Sequence, residues 1–205
     1  MKFEHLLISS IPLIILTAGS SSRMGASKAL LPWKKSTLIK ELVDKYSQIN
    51  QTVIVVSGSN HNALLGQNLR TSHIVENTNY KLGMGKSIAV GVNYVKTHFP
   101  EAKGVFIVTV DQPFIPLSHL ENMLATFKAN TIVVSSSEKG YRGIPSLFSS
   151  AYFKELIRLE DDRGAKPVCL KHKSLLQFIQ TAHEDLDDMD TPEMYQELKD
   201  RLNLQ

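Results

Sequence analysis

Residues 13 to 33 read LIILTAGSSSRMGASKALLPW, an apolar run that breaks into a glycine and serine loop and then presents two cations, Arg23 and Lys28. Gly19 and Gly25 let backbone amides come close to a ligand, and Ser20, Ser21 and Ser22 add small donors. Such a loop suits several phosphate oxygens at once, so a polyphosphate is its natural guest. Arg23 offers a planar fork for bidentate phosphate contact, and Lys28 a mobile point charge. Both cations would face the negative charge of such a guest. Taken alone, Lys28 has an equally ordinary use as a solvated lysine ahead of an apolar segment.

The second signal is acidic. VFIVTVDQP is an apolar run ending in Asp111, with Pro113 just beyond it to stop the ladder. A carboxylate at the tip of a buried parallel strand is well placed for a hard cation, for which magnesium is expected. The competing use is a helix cap, but that helix should start near Leu117, where Ser118 is the better cap. DDMDTPEMY adds Asp187, Asp188 and Asp190, and Pro192 marks a helix start that gives Asp190 an alternative use as its cap.

Two familiar phosphate motifs fail. GMGKS ends like a Walker loop, but the glycine required five places before Gly85 is Tyr80, and nothing has the G-x-G-x-x-G spacing. The seven histidines show no zinc-ligand spacing, the aromatic residues are scattered, and Trp33 reads as core. A net charge of +3 is too mild to imply nucleic acid. Cys169 is the single cysteine, so no disulfide framework exists and a reducing, cytoplasmic setting is expected.

The elements must place these groups. Strands are expected over Ile11 to Thr17, Thr52 to Ser57, His73 to Glu76, Val105 to Val110, Thr131 to Ser135 and Leu175 to Gln180. Helical periodicity covers Thr37 to Tyr46, Asn60 to Leu69, Lys86 to His98, Ser118 to Lys128, Ser149 to Leu159 and Pro192 to Leu202. This alternation predicts an α/β, Rossmann-like three-layer sandwich with a mostly parallel sheet, as one domain over residues 1–205. Ligands of such a sheet sit beyond the carboxyl ends of its strands, where the opening loop falls. The start MKFEHLLISSIPLIIL carries Glu4, His5 and Pro12, which speak against a signal peptide. No apolar run approaches the roughly 18 residues of a membrane helix.

LTAGSSSRMGASK fills every fixed position of L-x-A-G-x-S-x-R-M-G-x-x-K, and by it the chain resembles the MobA-like nucleotidyltransferases. LLPW is similar to the subgroup holding the molybdenum cofactor cytidylyl- and guanylyltransferases, and the likeness continues through GMGKSIAVGV, VDQP, RGIPSLF, LEDDRGAK and DMDTPEMY. The resemblance implies transfer of a nucleotide from a triphosphate to a phosphorylated pterin acceptor, with Mg2+ as cofactor. It puts Thr17, Ala18, Gly19, Ser20, Ser21, Ser22, Arg23, Met24, Gly25 and Lys28 around the nucleotide, with Lys28 near the α-phosphate. It also implies Asp111 and Asp190 as metal ligands, with Asp188 behind them, and Gly83 and Ser87 beside the base. As a capping residue, Ser87 has an alternative use.

For the acceptor the resemblance implies Gly143 and Pro145 in RGIPSLF and Asp162, Gly164 and Lys166 in LEDDRGAK. Asp161 stands where glycine is usual, Lys166 where arginine is, Ile144 where histidine is, and Lys86 where a small residue is. Guanylyl relatives typically carry a glycine at the position of Ala18, so its methyl predicts CTP over GTP. A molybdoenzyme or its chaperone is the expected recipient of product. Two other readings remain: the same fold with another nucleotide or acceptor, or a nucleotide-binding protein without catalysis.

Overall fold

The computed structural model describes residues 10–19, 24–49, 52–69 and 72–203. Its centre is a seven-stranded sheet. The strands are β1 (Leu13–Leu16), β4 (Val53–Ser57), β5 (His73–Glu76), β6 (Gly104–Thr109), β7 (Ile132–Ser136), β8 (Arg142–Ser149) and β9 (Leu176–Gln180). A short hairpin, β2 (Pro32–Trp33) with β3 (Ser36–Thr37), forms a separate ladder. The sheet order is β5-β4-β1-β6-β8-β7-β9. β8 runs antiparallel to both neighbours, and the other pairings are parallel.

Every residue of β1 is buried, as a central strand covered on both faces requires. Successive side chains of a strand point to opposite faces, and the core divides accordingly. Leu13 and Ile15 join one cluster with Leu38, Leu42 and Tyr46 of helix α1 (Leu38–Tyr46). Ile14 and Leu16 join the other with Ile88, Val92 and Val95. These belong to a helix (Met84–His98) on the opposite face, so the molecule has three layers. That helix lies close because of Gly91, where an added Cβ would meet Ile14 Cδ1 and Val56 Cγ2 at 2.9 Å each. Complete burial of one such isoleucine contributes about 1.5–3 kcal/mol.

Each expected strand is present, with ends shifted by a residue or two. Besides the short β2–β3 hairpin, the unexpected strand is β8, because RGIPSLF reads as a loop. Glycine and proline are poor strand residues, yet the ladder accommodates them at an irregularity. Between Val134↔Ser146 and Ser135↔Gly143 the register shifts, so Ile144 and Pro145 stand against no ladder partner. Ser135 Oγ instead donates to the Pro145 carbonyl at 2.8 Å.

Two helices are markedly shorter than periodicity suggests, while Met84–His98 and Pro192–Asn203 slightly exceed their expected spans. Asn60 to Leu69 reduces to His61–Leu65 before Gly66. Ser149 to Leu159 reduces to a 3-10 turn and Phe153–Leu156, and Ser149 ends β8 while its hydroxyl accepts from Ala151 N. Ser118 is not a cap: its helix spans Leu117–Thr126 with Pro116 in the cap position. A further helix, Lys166–Lys171, begins around Pro167.

His119 is buried between that 117–126 helix and the sheet, at 2% exposure. Because the Ser135 hydroxyl donates to Pro145 O, it accepts from His119 Nε2 at 2.8 Å, which fixes the Nε2–H tautomer. Nδ1 is buried without a hydrogen-bond partner among the described residues. Burial pushes His119 below the ordinary 6.5, with Asp185 opposing weakly. A histidine depressed in the folded state gives stability that is full above its unfolded value and is lost as pH falls below it. Stability measured by urea unfolding should therefore decline from about pH 7 to about pH 5 more steeply than in His119→Gln, whose amide keeps the donor to Ser135. Parallel curves for the two proteins would count against a neutral buried His119.

Candidate active site

Thr17, Ala18 and Gly19 leave the carboxyl end of β1. Thr17 N and Oγ1 both bond the Val56 carbonyl, which prolongs the β1–β4 pairing by one step. Asn60 Nδ2 donates to Thr17 O at 3.2 Å and to Ser27 Oγ at 3.0 Å, tying the two ends of the loop together. Ser20, Ser21, Ser22 and Arg23 lie outside the described residues. Gly25 has φ +67, a conformation that favours glycine. Lys28 opens a 3-10 turn, Lys28–Leu30, which faces it back toward the sheet.

β6 ends beside β1, and Val110 N bonds Leu16 O, so Asp111 emerges next to the loop. A third segment arrives from the far end of the chain, where Met189 N donates to Asp111 O at 3.1 Å. The cap of the following helix α7 (Pro192–Asn203, counting the six helices named above) is Thr191, whose hydroxyl accepts from Met194 N. Asp190 is thereby spared for another partner. Lys28 Nζ donates to Asp190 Oδ1 at 2.7 Å and to Asp111 Oδ2 at 3.0 Å. The two bonds hold the carboxylate oxygens within about 6 Å of each other.

Lys28 has only 12% of its side chain exposed. Burial alone would lower its ammonium, but the charge of Asp111 and the hydrogen bonds to Asp190 and Asp111 outweigh it and hold Lys28 above the ordinary lysine range. Partial desolvation, then the charges of Asp111 and Asp190, push the Asp188 carboxyl up, although the residue is still exposed. Three carboxylates thus share one neighbourhood.

Lys28, Asp111 and Asp190 line a cleft of about 610 Å3 together with Thr17, Ala18, Gly19, Tyr80, Lys81, Gly83, Met84 and Ser87. Gly83 has φ +109, and a Cβ there would meet Asp162 Cα at 2.5 Å. Gly85 N donates to Asp161 O at 2.7 Å, so the LEDDRGAK segment is seated on the start of the 84–98 helix. Ser87 is not the cap of that helix. It lies in the first turn, buried, and accepts from Asn77 Nδ2 at 3.0 Å.

The structure gathers Thr17, Ala18, Gly19, Lys28, Gly83, Ser87, Asp111 and Asp190 on one cleft, while Met24 and Gly25 lie in the loop beside it. None of the five acceptor candidates lines it. Gly143 begins β8 at the same end of the sheet, where its missing Cβ would crowd Tyr141 Oη at 2.8 Å. Pro145 is buried, Gly164 packs near Met84, and Asp162 and Lys166 are exposed. Tyr80, Lys81 and Asn77 went unnoticed in the sequence. Tyr80 is identifiable there only as the residue that spoils the Walker motif.

Among the described residues no three His, Cys, Asp or Glu side chains stand close enough to cage a metal alone. Magnesium asks for less, one or two carboxylates completed by phosphate oxygens and water. Asp111 and Asp190 meet that requirement: hard oxygens, close together, with negative charge that a single ammonium does not balance.

Residues 13–176 match the family model described as the MobA-like NTP transferase domain. Over 195 residues the chain is 30% identical to the purine catabolism protein PucB of Bacillus subtilis (strain 168), covering 89% of this chain and 92% of the relative. It is 26% identical over 196 residues to the molybdenum cofactor cytidylyltransferase of Escherichia coli (strain K12), covering 95% and 98%. Among solved structures, the homologue of Mycobacterium tuberculosis Rv0371c from Mycobacterium sp. strain JC1 superposes with TM-score 0.83 at 25% identity, covering 96% and 98%.

Removing Lys28 should leave its carboxylates repelling one another. Lys28→Ala is expected to lose about 1–2 kcal/mol of stability in chelator-treated buffer, the smaller end reflecting the exposure of Asp190. Millimolar Mg2+ or Mn2+ should restore much of it. Thermal unfolding with and without divalent cation is the check, and a variant indifferent to the cation would remove the carboxylate pair from consideration as a metal site.

Proposed function

The chain belongs to the MobA-like NTP transferase family, and from that premise we propose that it is a magnesium-dependent cytidylyltransferase that moves CMP from CTP to the terminal phosphate of molybdopterin. The observation that carries this reading is the meeting of Lys28, Asp111 and Asp190 at the end of β1, beside a loop made for phosphate. A phosphate oxygen of the acceptor attacks the α-phosphorus, the bond to the β-phosphate oxygen breaks, and pyrophosphate leaves. Lys28 offsets the charge that grows on the leaving group, a role the family resemblance gives to Arg23 as well. Asp111 and Asp190 would hold the divalent cation, which supplies further charge neutralisation at the phosphates. We read residues 1–205 as one domain, because Asp190, beyond the 13–176 match, completes the same cleft.

The choice of CTP rests on the inner wall. Ala18 is 3% exposed and lines the cleft, so its methyl occupies space that a glycine would leave to a larger base. Ser87 accepts from Asn77, which leaves its hydroxyl hydrogen as a donor for a pyrimidine acceptor edge. The names of the two curated relatives support a molybdenum cofactor or purine-catabolic setting. Gly143, Pro145, Asp162, Gly164 and Lys166 are then the acceptor side, with a molybdoenzyme or its chaperone taking the product. Asp161 and Lys166 favour a second reading, in which another phosphorylated small molecule replaces the pterin. Lys166 keeps the charge of an arginine but not its fork.

Asp111→Asn should keep the fold, judged by circular dichroism, yet reduce magnesium-dependent pyrophosphate release by at least about a hundredfold, since the amide fills the space without the charge. Full turnover would move the cation elsewhere. Competition between CTP and GTP, with a phosphorylated pterin acceptor, should favour CTP in kcat/KM by at least about tenfold, the usual scale for one crowding methyl or an unpaired polar group. Equal or reversed preference would withdraw the cytidylyl assignment while leaving the transferase standing.

A further inference from the structure

Gln112, directly after Asp111, is 3% exposed and has every polar atom of its carboxamide engaged. Oε1 accepts from Thr109 Oγ1 at 3.4 Å, while Nε2 donates to Leu186 O at 2.9 Å and to Tyr141 Oη at 3.3 Å. The orientation of the amide is not arbitrary. Tyr141 Oη spends its own hydrogen on Ile144 O at 2.7 Å, and Leu186 offers a carbonyl, so both partners can only accept.

Those partners belong to the two segments that approach Asp111 from the acceptor side. Leu186 belongs to the 183–191 stretch that carries Asp188 and Asp190 and is tied to Asp111 again through Met189 N. Tyr141 covers Gly143 at the start of β8, and its hydroxyl is pushed up by burial and further by the charges of Asp188 and Asp111. The triphosphate side is held by other means: the Asn60 bonds around the loop and the Asn77–Ser87 pair.

We propose that Gln112 is a positioning residue for the acceptor half of the site: it locks the start of β8 and the Asp190 segment to the tip of β6, and so sets where an acceptor phosphate stands relative to Asp111. An apolar side chain of equal length would fill the space but leave Leu186 O and Tyr141 Oη without their donor. A glutamate in place of the amide would turn an oxygen toward both acceptors.

This inference rests on the transferase reading for its kinetic arm only. Hydrogen exchange on Gln112→Glu, without substrates, should show residues 141–146 and 183–191 exchanging at least about tenfold faster, with β1 and the 84–98 helix unchanged. Uniform acceleration, or none, overturns the proposal. In kinetics the variant should raise the acceptor KM or lower kcat by about tenfold or more, while the equilibrium Kd for a non-hydrolysable CTP analogue with Mg2+ stays within about twofold. Equal losses on both substrates also overturn it. Should Gln112→Glu not fold, Tyr141→Phe, which removes one of the two acceptors, must show the same exchange pattern and the same split at smaller size. If the unaltered protein transfers nothing to a phosphorylated pterin, the acceptor assignment falls, whereas the exchange pattern still decides the role of Gln112.

Discussion

One ammonium group holds the site together. Lys28 Nζ touches carboxylates that lie 83 and 162 residues further along the chain, and no local preference could bring them there. What does so is the crossover of the sheet. β1 sits between β4 and β6, so the connection leaving β1 and the one leaving β6 open side by side at the same end. Residues on those two connections must meet, and side chains of opposite charge make the meeting favourable rather than merely unavoidable.

The geometry also explains which signals were legible in the sequence. β1, β4 and β6 are covered on both faces, so they are uninterrupted apolar runs that no surface residue dilutes. Asp111 was legible because it ends such a run with a charge, and Lys28 because it stands in the glycine and serine loop that follows one. Asp190 was ambiguous, since an Asp before Thr-Pro reads equally as a helix cap. Only the structure shows Thr191 taking that duty. β8 was hidden because its glycine and proline lie at a register shift, a feature that depends on β7 and cannot be inferred from RGIPSLF itself. Asn77 and Gln112 were silent for a similar reason: a buried amide is meaningful only through the partners that satisfy it, and Ser87 and Leu186 lie ten and seventy-four residues away from them.

The two halves of the cleft are built differently. The side proposed for the base is formed by buried strand ends and by a helix packed so closely that a Cβ at Gly91 would meet Ile14 and Val56 at 2.9 Å. The neighbouring side, proposed for the acceptor, consists of segments next to strand ends, joined by individual hydrogen bonds at Gln112, Tyr141 and Met189. A wall made from core packing moves little, while one made from single bonds, each worth on the order of 1 kcal/mol, can be altered by one substitution. Ile144, whose carbonyl accepts from Tyr141 Oη, falls on that adjustable side, whereas Asp161 is bonded to the start of the 84–98 helix.

Charge places a last constraint on how the cleft can be filled. Among the described residues that line it, Lys28 and Lys81 are balanced by Asp111 and Asp190, and Lys28 is already bonded to both carboxylates. A triphosphate brings several negative charges to this spot. Lys28 cannot offset those and still neutralise two aspartates at under 3.1 Å. If the ammonium turns to the phosphates, the two carboxylates are left adjacent without its charge, a cost that grows as the cleft excludes water. On the proposed reading a divalent cation arriving with the polyphosphate would remove the conflict, with Asp111 and Asp190 to hold it and Lys28 turned to the phosphate. The same three side chains would then serve two charge states, one closed on itself and one opened by ligand.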